Sequence, residues 1–136
     1  MNSTSVLLAD DSLFMLQHVS KMLHKDRRFR VVASVRDGSA VLDAYVRHKP
    51  DVVILDISMG DVSGIEVAQD LRHAGCRAKI IFLTVHEDSD FVNAAIGAGG
   101  SAYVVKSRLS TDLVVALRAV IANKMFVSSN LLPQHD

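Results

Sequence analysis

DVVILDISMG (residues 51–60) carries four consecutive apolar side chains, Val52 to Leu55, that stop at a carboxylate, Asp56. A continuous apolar run suits a strand buried on both faces, the condition of a strand in a parallel sheet covered by helices. Three other runs have the same form. VLLADD (6–11) stops at Asp10 and Asp11, IIFLT (80–84) at Thr84, and AYVVK (102–106) at Lys106. A fifth run spans Val31–Val35. Segments of helical period fill the intervals, at about residues 12–25, 38–48, 63–74, 88–98 and 110–123. This alternation predicts an α/β fold: a doubly wound parallel sheet, five strands in the order 2-1-3-4-5, with five helices. Ser12 and Ser110 are the expected helix N-caps, and Gly75 and Gly99 the expected C-caps. Pro50 separates the second helix from the third strand. From Lys124 onward, KMFVSSNLLPQHD reads as a tail.

The chain has 136 residues, 49% of them hydrophobic, which fits one domain with one sizeable core. Its 15 basic and 15 acidic side chains balance, leaving no electrostatic footprint for nucleic acid or anionic membrane. The single cysteine, Cys76, excludes an internal disulfide and fits a reducing cytosol. The segment after Met1 lacks a basic lead and a long apolar run, so it does not read as a signal peptide. No stretch approaches the roughly eighteen apolar residues of a membrane helix. The expectation is one cytoplasmic domain that contacts neither nucleic acid nor membrane itself.

In an open α/β sheet the carboxyl ends of parallel strands converge on one crevice, where ligands bind. Asp10, Asp11 and Asp56 would meet there with the Thr84 hydroxyl and the Lys106 ammonium. Three carboxylates so close cannot all stay ionised without a cation, which predicts a hard divalent metal, Mg²⁺.

An acidic pair after the first strand, an Asp ending the third, a Thr ending the fourth and a Lys ending the fifth resemble the receiver domain of bacterial two-component response regulators. The resemblance covers roughly residues 4–123. It implies a flavodoxin-like (βα)5 fold and a phosphorylation switch rather than a turnover enzyme. By that resemblance Asp56 is the phosphoacceptor. Asp11, Asp56 and the backbone carbonyl of Ser58 ligate Mg²⁺ directly, and Asp10 does so through a water. Lys106 and Thr84 contact the phosphoryl group, and Tyr103 is the aromatic that repacks with Thr84. The implied partner is a histidine kinase or phosphotransfer protein. The phrases VVKSRLSTDLVVALRAV and MFVSSNL further resemble the nitrate-response, or LuxR-type (NarL/FixJ-like), subfamily. There a helix-turn-helix DNA-binding domain follows the receiver, so residues 1–123 would be the receiver and 124–136 a tail or the start of a linker.

Four positions depart from the family pattern. Gly60 replaces a common proline and is expected to loosen the loop. Val85 replaces a small residue after Thr84, with bulk that would narrow access or hinder Thr84. Ser107 replaces a proline after Lys106. His86, two residues past Thr84, stands where the family tunes hydrolysis together with Ser58. It can orient water there, although alone it reads as a solvated loop side chain. Phe14 falls outside the apolar stripe of the first helix, as either an exposed partner contact or a partly covered aromatic. The Val115–Ala119 side of the last helix would serve a homodimer or output interface, or else pack on a neighbouring helix.

Rival readings are weaker. A haloacid-dehalogenase enzyme needs a second Asp two residues after the first, where Ser58 stands. A flavin binder needs a first loop that cradles phosphate, which ADDSL would repel. A degenerate, phosphate-independent receiver remains as the alternative within the family, as does a stand-alone receiver in a phosphorelay.

Overall fold

The computed structural model describes residues 3–128. Five βα units run in order: β1 (Thr4–Ala9), α1 (Leu13–His24), β2 (Phe29–Val35), α2 (Val41–His48), β3 (Val52–Leu55), α3 (Gly64–His73), β4 (Lys79–Thr84), α4 (Ser89–Gly97), β5 (Ala102–Val105) and α5 (Leu109–Ile121). A sixth strand, β6 (Phe126–Val127), follows. The sheet is parallel throughout, with order β2-β1-β3-β4-β5-β6. The expected 2-1-3-4-5 order is therefore present, and the sixth strand extends it at the β5 edge. Within the expected tail, Phe126 and Val127 pair with Ala102 and Tyr103, and Ser128 donates from its N–H to the Tyr103 carbonyl at 2.9 Å. Residues 129–136, the rest of that tail, lie outside the described residues.

Strand side chains alternate between two cores because successive Cβ atoms point to opposite faces. Leu7, Val53, Leu55, Ile80 and Phe82 pack with Ala68 and Leu71 of α3 and Val92 and Ala95 of α4. Val6, Leu8, Ile54, Ile81 and Leu83 pack with Leu16, Val19 and Leu23 of α1 and Leu113, Leu117 and Val120 of α5. Each fully buried aliphatic side chain contributes roughly 1.5–3 kcal/mol. Burial on both faces explains why the sequence shows continuous apolar runs. Among the described residues no helix is long and apolar enough to cross a membrane.

Ser12 caps α1, its Oγ accepting from the Met15 N–H at 3.2 Å. The expected cap at Ser110 is not used. A 3₁₀ turn over Lys106–Arg108 runs directly into α5, so Ser110 lies inside the helix and Arg108 holds the cap position without a side-chain bond. Gly75 and Gly99 have positive φ just past α3 and α4 and close Schellman-type ends. Asn123, with φ of 60°, does the same after α5. All described peptide bonds are trans, including the one before Ser107.

Gly60 does not loosen its loop. Ser58–Met59 and Val62–Ser63 form a small antiparallel hairpin, with Gly60 at φ 66° in the first central position of the turn. That conformation favours glycine, and the turn hand matches strand twist. Beyond it the α3 N-terminus closes on the strand end: the Gly64 N–H donates to the Ile57 carbonyl at 2.6 Å. A Cβ at Gly64 would overlap the Asp56 carbonyl oxygen. Gly64→Ala should therefore lower stability by about 3 kcal/mol, the upper end for overpacking, as read from urea denaturation midpoints.

Candidate acidic site at the strand ends

β1 and β3 are neighbours paired Ala9 to Leu55, so the residues that follow them, Asp10 and Asp56, emerge side by side. The Asp56 N–H donates to the Ala9 carbonyl at 3.0 Å, extending the ladder one step to this point. Both aspartates are only 4% exposed. Lys106, leaving β5, reaches both: its Nζ lies 2.9 Å from Asp10 Oδ2 and 3.0 Å from Asp56 Oδ2. The other carboxylate oxygens take backbone donors. Asp10 Oδ1 accepts from the Ser12 N–H at 2.9 Å, and Asp56 Oδ1 from the Ser58 N–H at 3.1 Å. Asp11 is exposed, and its carbonyl accepts from Arg36 Nη2 at 3.2 Å. Asp10, Asp11 and Asp56 each offer an oxygen within 4.8 Å of the others. Such a hard, anionic oxygen set suits a hard divalent cation.

Burial raises the Asp56 carboxyl above its ordinary range, and the nearby Asp10 charge adds to the rise; the Lys106 hydrogen bond and charge offset only part of it. For Lys106, burial works against the charge, but hydrogen bonds to Asp10 and Asp56 and their charges outweigh it. Its pKa is raised in consequence. One ammonium thus serves two buried carboxylates.

Thr84 is fully buried at the end of β4, and its Oγ1 accepts from the His86 N–H at 3.2 Å. Tyr103 is fully buried on β5 opposite Phe82, and its hydroxyl donates to the His86 carbonyl at 2.9 Å. Burial, with the charges of Asp88 and Asp56, pushes the phenol well above its usual range. Val85 is 63% exposed, so its bulk stands largely in solvent.

His86 is not the solvated side chain its isolation in sequence suggests. Its Nε2 lies 2.8 Å from Ser58 Oγ, and its ring stacks on Phe91 of α4 at 4.2 Å between centroids. Its main chain meanwhile binds Thr84 and Tyr103. The partners lie 28, 5, 2 and 17 residues away, so no local spacing could have revealed the cluster. Asp88, in the same acidic loop, caps α4 by accepting from the Asp90 N–H at 2.7 Å.

Residues 6–118 match the response regulator receiver domain family. The chain belongs to that family. It is similar to the nitrate/nitrite response regulator protein NarP of Escherichia coli (strain K12), at 37% identity over 84% of this chain and 53% of that protein. A two-component response regulator of the LuxR family from Aurantimonas sp. SI85-9A1 superimposes with a TM-score of 0.91 and 28% identity, over 96% of this chain and 93% of that one. The isolated receiver of RcsB from Salmonella enterica serovar Typhimurium, with phosphomimetic BeF3−, gives 0.88 and 27% over 96% of each chain. This receiver is thus of the LuxR-family kind. The chain spans 53% to 63% of the length of four curated relatives that it matches.

Elsewhere, Phe14 is 72% exposed and its ring stacks on His18 at 5.9 Å between centroids. Val115 on α5 is 49% exposed, whereas Ala119 is partly buried.

Two outcomes follow from this geometry. Below the ordinary carboxylate range Asp56 is protonated in folded and unfolded chains alike. As pH rises from that range toward the raised folded value, the unfolded chain ionises first, so the cost in stability grows across that interval and is complete above the folded value. Asp56→Asn should therefore be more stable than wild type at pH 7, with the gap closing toward pH 3.5, as read from urea midpoints across that range. His86→Ala removes one hydrogen bond and one ring stack, and should cost about 1–2 kcal/mol. Faster amide exchange at residues 85–90 is its local signature.

Proposed function

We propose that this chain is a phosphoacceptor switch in which Asp56 takes a phosphoryl group from a histidine kinase or phosphotransfer protein. The observation that carries the reading is the buried Asp56 carboxylate held 3.0 Å from Lys106 Nζ beside two further aspartates. An Asp56 oxygen attacks phosphorus, the bond from phosphorus to the donor nitrogen breaks, and the leaving imidazole takes a proton, giving an aspartyl phosphate. Asp11, Asp56 and the Ser58 carbonyl would hold Mg²⁺ directly and Asp10 through a water. When bound, that ion offsets negative charge on the transferring group. Lys106 supplies a point charge to a phosphoryl oxygen.

Thr84 and Tyr103 are the switch residues in this reading. Thr84 Oγ1 now accepts from the His86 N–H, so turning it toward a phosphoryl oxygen gives up that bond. Tyr103 holds the other side of His86 through its carbonyl. A charge change at Asp56 is thereby passed to residues 84–88 and the α4–β5–α5 face, a local event biasing a two-state element. Val85 and His86 modulate the phosphoryl lifetime. We assign residues 1–123 to the receiver and later residues to a connection toward an output domain. The output is transcription regulation through a helix-turn-helix domain, with α1 and α5, carrying Phe14 and Val115, as partner or homodimer surfaces. The domain is a cytoplasmic signalling switch that modifies itself slowly.

Incubation with Mg²⁺ and acetyl phosphate should add the mass of one phosphoryl group to wild type and none to Asp56→Ala. Chelation by EDTA should abolish the adduct, and Lys106→Ala should slow its formation by roughly a hundredfold. An adduct of equal yield on Asp56→Ala would overturn the assignment.

A further inference from the structure

A groove of about 730 Å³ runs between α1 and β2, with one end beside the loop that carries Asp11. Leu16, Phe29 and Val31 give it apolar walls, and Lys21, Arg30 and Arg36 line it with positive charge; no acidic residue is among the lining. In a chain whose charges balance overall, this is a local concentration of cations. β2, at seven residues, is the longest strand of the sheet. Among the described residues no strand pairs with its outer edge. An uncovered edge presents a row of backbone donors and acceptors on which an extended chain can pair.

The charge pattern selects what can pair there. From Arg30 to Arg36, the strand and the residue that follows it, the chain reads RVVASVR, with cations at both ends of this stretch and no acid within it. A second copy of this strand laid alongside would bring arginines toward one another, which disfavours edge-to-edge pairing of identical chains. An acidic strand would instead meet complementary charge at both ends and from Lys21 on α1.

We propose that this groove is a docking site for an acidic, extended segment of a partner protein, added as a strand to the outer edge of β2. Its alternate apolar side chains seat against Leu16, Phe29 and Val31, and its carboxylates pair with Lys21, Arg30 and Arg36. One end of the groove touches the acidic site, because Arg36 Nη2 also donates to the Asp11 carbonyl. A carboxylate that recruits Arg36 frees that carbonyl, so docking is linked to the loop carrying Asp11. Docking at this edge does not require Asp56 to be phosphorylated.

The test is an NMR titration of the ¹⁵N-labelled full chain with a capped heptapeptide alternating glutamate and valine. Saturable shifts are expected at the outer-edge amides of β2, Val31 among them, and on the groove side of α1. The same peptide with lysine in place of glutamate should give no saturable shifts. Lys21→Glu with Arg30→Glu should weaken the acidic peptide at least tenfold while amides remote from β2 stay in place. If that pair perturbs the fold, Lys21→Gln with Arg30→Gln should give a smaller loss in the same direction. Shifts scattered outside the groove, equal binding by the charge-reversed or neutralised variant, or equal shifts with a single-stranded RNA homopolymer would each overturn the proposal. The last outcome would reassign the groove to polyanions in general.

Discussion

Lys106 holds together two carboxylates that the fold has taken out of water. Its ammonium sits 2.9 Å from Asp10 and 3.0 Å from Asp56, on chain segments that end three different strands. Reaching β3 from β5 means crossing the width of β4, about two interstrand spacings of 4.8 Å. Only a long, flexible cation at the end of β5 spans that gap, and only a continuous parallel sheet puts all three strand ends on one side. The buried cluster is tolerated because every oxygen of Asp10 and Asp56 has a donor: Lys106, the Ser12 N–H or the Ser58 N–H. The raised Asp56 pKa shows that the compensation is incomplete. Room for additional positive charge at this point is thus part of the architecture.

His86 gives the site a connection to the rest of the molecule. A side chain between Ser58 and Phe91, and a main chain between Thr84 and Tyr103, join the loops after β3 and β4 to α4 and β5. Any movement of Thr84 that gives up the His86 N–H alters a point where four elements meet. A packed cluster of this kind shifts between discrete arrangements rather than deforming smoothly, as close-packed interiors do. The β5 edge is tied in as well. Ser128 Oγ accepts from the Val105 N–H at 3.1 Å, one residue before Lys106, and its N–H binds the Tyr103 carbonyl. The chain segment that leaves α5 is therefore fastened beside both Tyr103 and Lys106.

Much of this was legible because it rests on local composition. Val52 to Leu55 read as a doubly buried strand because the run is short, rich in β-branched residues and bounded by Pro50 and Asp56, whereas the longer apolar run of α5 belongs to a thirteen-residue helical segment. Ser12 read as a cap because a hydroxyl just ahead of a helical stripe satisfies an orphan N–H wherever the helix packs. Gly75 and Gly99 read as helix ends because a left-handed residue is needed there. Ser110 has the same local look as Ser12, yet the chain enters α5 through a 3₁₀ turn that begins at Lys106. There the backbone is already helical before Ser110, so its hydroxyl does not stand at the position that caps the first turn.

The sequence by itself determined the five βα units and which side chains stand at or just past their strand ends, since apolar periodicity and strand polarity follow from residue order alone. Tertiary structure decided the rest. Lys106 bridges Asp10 and Asp56, His86 joins Ser58 to Phe91, and Phe126–Val127 pairs with β5 as a sixth strand, all between residues distant in the chain. Such contacts depend on where the folded sheet brings remote segments together. A histidine in a loop and a two-residue apolar run carry no local mark of it.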